Sequence, residues 1–296
     1  MADRNQRLQQ SRVQSKHFRI ARCILPSVVF CLNAGTSDAL ANKLQPATVQ
    51  AWNRYVQWAD KRVQRELSDP GAFLVEDFFP AAERAAVKRD LAADKIVVRH
   101  MTSPVPKGER FQIRNGEIHH WWGAVLVPGV KLPVLLSFLQ DYENHAGKFA
   151  DVERSRLISR DGNLFRFFFR LKRSKAFVTA IYNTEQECLY TSHTATRESS
   201  RSEATRIVEV EDPGKPSEHE LPPGEDRGFL WRLVSWWRFE QTDRGVIIEV
   251  ESASLSRDIP AIVDFIPWLR SYIRSTPKDS IESILGTIRN YGKALK

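Results

Sequence analysis

The sequence predicts an α+β fold: a curved antiparallel sheet of six to seven strands around a long C-terminal helix, with a helical extension in front of it. Three observations carry this. From about residue 116 to 255, apolar residues alternate at period two in run after run, broken by turn signals such as "RDG" and "TDRG". Near the C-terminus the period changes to that of a helix, with Ile281, Ile284, Leu285, Ile288 and Tyr291 on one stripe. Before residue 116 a separate helical pattern stands apart from the strands.

The first 41 residues read as a targeting segment. Lys16, Arg19 and Arg22 precede the short apolar run "CILPSVVFCLNAG", and "ALA" at Ala39 to Ala41 offers a signal-peptidase site, so cleavage is expected after Ala41. The run falls short of the roughly 20 apolar residues that span a bilayer. Cleavage would remove Cys23 and Cys31 and leave Cys188, so the fold must hold by packing and not by an internal disulfide. It would also remove six basic and two acidic residues, leaving 38 basic against 34 acidic from a chain that starts at a net charge of +8. That modest balance, with no basic block, gives no support to a nucleic-acid partner.

Residues 42–115 form the expected extension. Pro46 opens a helix to about Leu67, with Val49, Trp52, Val56, Ala59, Val63 and Leu67 on one stripe, and "SDPG" stops it. A shorter helix follows Pro80, and "KIVVRHM" reads as a strand. From Gly116, "GEIHHWWGAVLVPG" is a strand and "KLPVLLSFLQDYENHAGKF" a helix. Strands are then expected over about 151–160, 163–173, 175–183, 187–198, 202–211, 229–241 and 245–255, with a polar Pro/Gly loop at 211–228. The last helix is expected to start with Thr276 as N-cap and Pro277 at its first position.

The stretch "LPVLLSFLQDYENHAGKFADVERSRLISRDGNLFRFFFRL" resembles the opening of START-like (SRPBCC) proteins. The matching features are a helix ending in Asp141-Tyr142, the apolar Phe149 and Val152, a first strand, and Gly162 in the turn. With the terminal helix, the resemblance covers about residues 116–296. It implies a helix-grip fold with a cavity between sheet and helix, and a lipid, sterol or other apolar molecule as partner. Some members of that superfamily are enzymes, so a polyketide cyclase or aromatase using the same cavity is the alternative.

Alternation places Phe165, Phe167, Phe169 and Leu171 on one strand face, and Trp231, Leu233, Ser235, Trp237 and Phe239 on another. A two-residue loop at Asp243-Arg244 would oppose Gln241 to Val246, Phe239 to Ile248 and Trp237 to Val250. These aromatic and aliphatic residues, with His120 and Trp122 of the first strand, are the candidate ligand-binding set: Phe165, Phe167, Phe169, Trp231, Leu233, Trp237, Phe239, Ile248, Val250, His120 and Trp122. The same face would also suit a packed core. Arg238, Glu249 and Glu251 fall on the opposite face and read as an exposed cross-strand ion pair. His119 and His120 point to opposite faces and cannot share a metal, and His145 reads as a surface partner of Asp141. No HExxH, CxxC, GxSxG, Walker-type or GxGxxG pattern occurs, so no catalytic residue, metal or cofactor is expected. "PAIVDFIPWLRSYIR", Pro260 to Arg274, reads as two short helical pieces divided by Pro267, either buried or forming a lid that touches membrane transiently.

Overall fold

The computed structural model describes residues 43–101, 113–175, 178–258 and 267–295; of 175, 178 and 267–275 only the backbone is described. The expected signal segment and residues 260–266 of the 260–274 segment therefore lie outside the described residues, and the rest of that segment is described by its backbone alone.

The elements run α1 (Pro46–Leu67), a 3-10 turn (Val75–Phe78), α2 (Ala81–Ala92), β1 (Val97–His100), β2 (Glu117–Pro128), α3 (Leu132–Leu139), a 3-10 turn (Tyr142–Asn144), β3 (Val152–Asp161), β4 (Leu164–Lys175), β5 (Val178–Thr194), β6 (Arg197–Glu211), β7 (His219–Glu220), β8 (Arg232–Thr242), β9 (Gly245–Ser256) and α4 (Pro267–Ala294). The strands form one antiparallel sheet in the order β1-β2-β9-β8-β6-β5-β4-β3, with the short β7 paired to β6. Within the expected extension, β1 pairs with β2 as an edge of the sheet.

The expected register of the β8–β9 hairpin holds to the residue. Gln241 opposes Val246, Phe239 opposes Ile248, Trp237 opposes Val250 and Arg238 opposes Glu249. Two expected strands, 175–183 and 187–198, do not end where expected. β5 runs through Thr184-Glu185-Gln186 with a bulge against β6, and the chain turns at Ala195-Thr196 without glycine or proline. Ladder hydrogen bonding and burial of Thr184 and Gln186 outweigh their weak strand pattern. α4 likewise starts earlier than its cap signal: the helix continues from Pro267, and Pro277 sits inside it. A proline there forfeits one backbone bond but does not end a helix that packing supports.

Phe165 and Phe167 of β4 join Val125 and Val127 of β2 in one core cluster with α3 and α4. Those strands stand five steps apart in the sheet, roughly 24 Å if it were flat, so the sheet curls around the C-terminal helix. α4 rests directly on β2: a Cβ added to Gly123 would lie 2.3 Å from Ile281 Cγ2 and 2.9 Å from Leu285 Cδ1. We call this side the inner face. The outer face of β2, β8 and β9 is covered by α1 and α2, which build two further apolar clusters against it.

Candidate functional site: the inner face and its opposite

Period-two alternation sorts the inner-face residues into rows across the sheet. One row runs Phe165, Cys188, Ser202, Ser235, Ser252 and Trp121, from β4 to β2. Its neighbour runs Tyr190, Ser200, Trp237, Val250 and Gly123. Three neighbouring strands therefore place a serine at one level of the inner face, where a hydroxymethyl group fills less space than Phe or Leu would.

Burial along this face is graded. Phe165, Phe167, Phe239, Ile248 and Val250 are buried and pack with Leu285 and Ile288, so they belong to a filled core. Ser235, Ser252, Trp237, Leu233 and Phe169 are half-buried. Trp237 Nε1 donates to Ser235 Oγ at 3.1 Å, and Ser202 Oγ lies 3.4 Å from Gln186 Oε1. Beside Phe165 and Phe167, the Tyr142 and Tyr190 hydroxyls meet at 3.0 Å. Burial pushes both phenols well above their ordinary range and raises the Cys188 thiol, so all three stay protonated hydrogen-bonding groups. Cys188 is a buried free thiol.

Three of the expected ligand-face residues lie elsewhere. His120 and Trp122 face outward, beneath α1 and α2, because β2 presents Trp121, Gly123 and Val125 to the helix. Trp231 precedes β8, so strand alternation does not reach it; it packs with Trp52 and Leu255 in the α1 cluster, and its Nε1 donates to Asp226 Oδ1 at 2.8 Å. His145 is also displaced from its expected role. α3 ends at Leu139 and a 3-10 turn follows, so the spacing from Asp141 is not a helical one. The imidazole is buried among Phe138, Tyr142, Phe149 and Phe169, and that burial lowers its pKa to about 4.

The largest correction concerns the outer face. Arg238, Glu249 and Glu251 are not exposed; each is at most 1% accessible. α1 lies over them and brings Tyr55, Arg62 and Glu66. Arg62 bonds Glu251 and, at 3.0 Å, Glu66 Oε1. Arg238 bonds Glu66 and donates to the Phe73 carbonyl at 2.8 Å. Tyr55 Oη lies 2.6 Å from His120 Nδ1, whose Nε2 is 3.2 Å from Glu251 Oε2. Burial favours the neutral form of Glu251, but His120, Arg62 and Arg238 overcome it and hold its pKa down at about 2. Burial dominates for Glu249 and lifts it to about 8, against the pull of Arg238 and of two backbone N–H groups. Sequence reasoning saw the apolar stripe of α1 but missed that Arg62 lies on it, beside Ala59 and Val63. A basic residue on a buried stripe was the available signal that acidic groups would meet it.

Among the described residues, no group of His, Cys, Asp and Glu side chains is arranged to hold a metal ion.

No protein-family model matches this chain, and no curated protein matches it. Solved structures do. A STAR-related lipid transfer protein from Xanthomonas axonopodis aligns at 15% identity over 62% of this chain and 96% of its own, with a TM-score of 0.43. Human STARD10 aligns at 10% identity over 77% and 85%, with a TM-score of 0.38. A Streptomyces aromatase/cyclase aligns at 10% identity over 60% and 94%, with a TM-score of 0.39. These are likenesses of fold, to START-type proteins.

Proposed function

We propose that the protein is an exported carrier or binder of an uncharged, largely apolar small molecule or lipid, held between the inner face and α4. The observation that supports this is the serine row Ser202, Ser235 and Ser252, flanked by Trp237 and Trp121 on the inner face, where Ser235, Ser252 and both tryptophans are half-buried. Short side chains at the centre of a curled sheet leave space, aromatic walls favour apolar contact, and hydroxyls offer a few oriented hydrogen bonds. No ion pair lies in that row, which favours a neutral guest over a charged one. On this reading the segment Pro260 to Arg274 is the part that touches membrane during loading.

A cyclase-type reaction has less to work with. His120, the histidine expected on the ligand face, is buried on the other face against Tyr55 and Glu251.

One experiment tests the binding reading and the export together. The chain is recovered from the extracytoplasmic fraction of an expressing bacterium, where Asn42 is the expected first residue, and extracted with solvent for mass spectrometry. A co-purifying apolar molecule is expected. Ser235→Phe combined with Ser252→Phe should reduce bound molecule at least ten-fold while cooperative unfolding is retained. An empty wild-type protein, or a filled double variant that still carries the molecule, would sink the binding reading.

A further inference from the structure

The ion cluster between α1 and the sheet contains two carboxyls that its arginines do not directly bond. Glu249, on β9, accepts hydrogen bonds from the backbone N–H of Val75 and, at 3.1 Å, of Glu76. It thereby ties the 3-10 turn down onto the sheet. The side chain of Glu76 enters the same interface: it is 1% accessible, and neither of its oxygens has a hydrogen-bond partner. A carboxyl in that position is tolerated when protonated and costly when ionised.

We propose that the segment from Ser68 to Ala93, the 3-10 turn with α2, is a proton-governed latch on the outer face of the sheet, closed while Glu76 and Glu249 hold protons and released as they lose them.

The charged surroundings support this direction. Within the turn and α2, Glu76 faces Asp77, Lys88 and Arg84; from β8 it faces Glu240. Glu249 faces Arg238 and Glu76. Further out, Arg62 and Glu66 come from α1, His120 from β2 and Glu251 from β9, already engaged with one another. Arg197 pairs with Glu240, and His193 packs its ring on Phe73. Every arginine in direct contact is thus committed elsewhere or shared. Lys88 Nζ is exposed and its bond is to Asp77, at 3.9 Å. The chain also has a place to bend: Gly71 follows Asp69-Pro70, and Asp94 after α2 has φ of 60°.

Burial lifts Glu76 to about 7 and Glu249 to about 8, from an ordinary 4.5. Raised acids bind protons more tightly in the closed state, so closure is favoured at low pH. It weakens as pH climbs from the ordinary carboxyl range to about 7–8 and is flat beyond. Release would uncover Trp122 and Ala124, which Val87 and Leu91 of α2 now cover. These residues flank Gly123, the seat of α4, so the latch bears on the strand that supports the inner face.

Hydrogen exchange on the full chain, corrected for the intrinsic pH dependence of exchange, tests the latch. Protection of the peptide spanning 73–79 is expected to fall by about ten-fold per pH unit for each titrating carboxyl from about pH 5 upward, the contribution of Glu76 ending near pH 7 and that of Glu249 near pH 8. Peptides from β5 and β6 should stay unchanged. Glu76→Gln should flatten the dependence on Glu76 and keep the segment protected at higher pH. Constant protection of 73–79 across pH 5.5–9 overturns the proposal. So does loss of protection throughout the sheet, or a Glu76→Gln variant that follows wild type. If that variant does not fold, the wild-type series decides alone.

Discussion

The two faces of this sheet solve opposite problems with the same strands. β8 sends Trp237 and Phe239 inward and Trp236 and Arg238 outward; β9 sends Ile248 and Val250 inward and Glu249 and Glu251 outward. Both faces are covered by helices. Inside, the cover is α4, the contacts are apolar, and the polar groups are neutral hydroxyls. Outside, the cover is α1 and the 3-10 turn, and fully buried charges meet. The difference lies in what a gap costs. A void beside neutral residues forfeits dispersion contacts and can be filled by a guest. A gap beside a buried carboxylate leaves an uncompensated charge. The inner face can therefore host a ligand, whereas the outer face must be complete.

The sharpest way to break this comparison is on the outer side. Arg238→Met removes the partner of Glu66, the donor to Phe73 O and the nearest positive charge to Glu249. Glu66 and Glu251 are then left to share Arg62 alone, and Glu249 loses the positive charge beside it, a loss of about 3–5 kcal/mol. That is a large part of the stability of a typical domain. Urea denaturation at neutral pH should show a large drop in midpoint. A midpoint within error of wild type would mean that the cluster is wetter than its burial implies.

A smaller effect is expected where the inner face is already full. The Cβ of Gly123→Ala would meet two side chains of α4 closer than real contacts allow. Overpacking of this kind costs about 1–3 kcal/mol, and thermal unfolding should register it. The contrast with the serine row is the informative part. Phe at Ser235 and Ser252 should be tolerated, because both serines are only half-buried; Ala at Gly123 should not, because Ile281 and Leu285 already fill the space.

Much of the inner face was legible in the sequence. Alternation and a two-residue loop were enough to set which of β8 and β9 oppose one another, since a one-residue slip would have exposed every aromatic. Alternation does not say what lies on top of a face. Arg238, Glu249 and Glu251 were placed together correctly but left in water, because their cover, α1, begins almost two hundred residues earlier. His120 and Trp122 went to the wrong side for a related reason. β2 is apolar on both faces, so its own pattern does not choose between them. Pro277 and Thr184-Glu185-Gln186 misled at element ends, where packing overrode local preference.

The smallest expected effect comes from a second Arg–Glu pair on the same outer face, and it isolates cover as the variable. Arg166 on β4 stands directly opposite Glu187 on β5, as Arg238 stands opposite Glu249. Arg166 Nε lies 2.6 Å from Glu187 Oε1. Both side chains are more than 40% accessible, because α1 and α2 do not extend over these strands. Water screens the attraction and solvates either partner left alone, so Arg166→Ala should cost about 0–1 kcal/mol and the cost should shrink further in high salt. Residue types, cross-strand register and sheet face are the same as at Arg238; what differs is α1, which buries Arg238 and supplies Glu66 as its bonded partner. A loss at Arg166 comparable to that at Arg238 would put the energetic weight on cross-strand pairing itself rather than on the burial that the extension imposes.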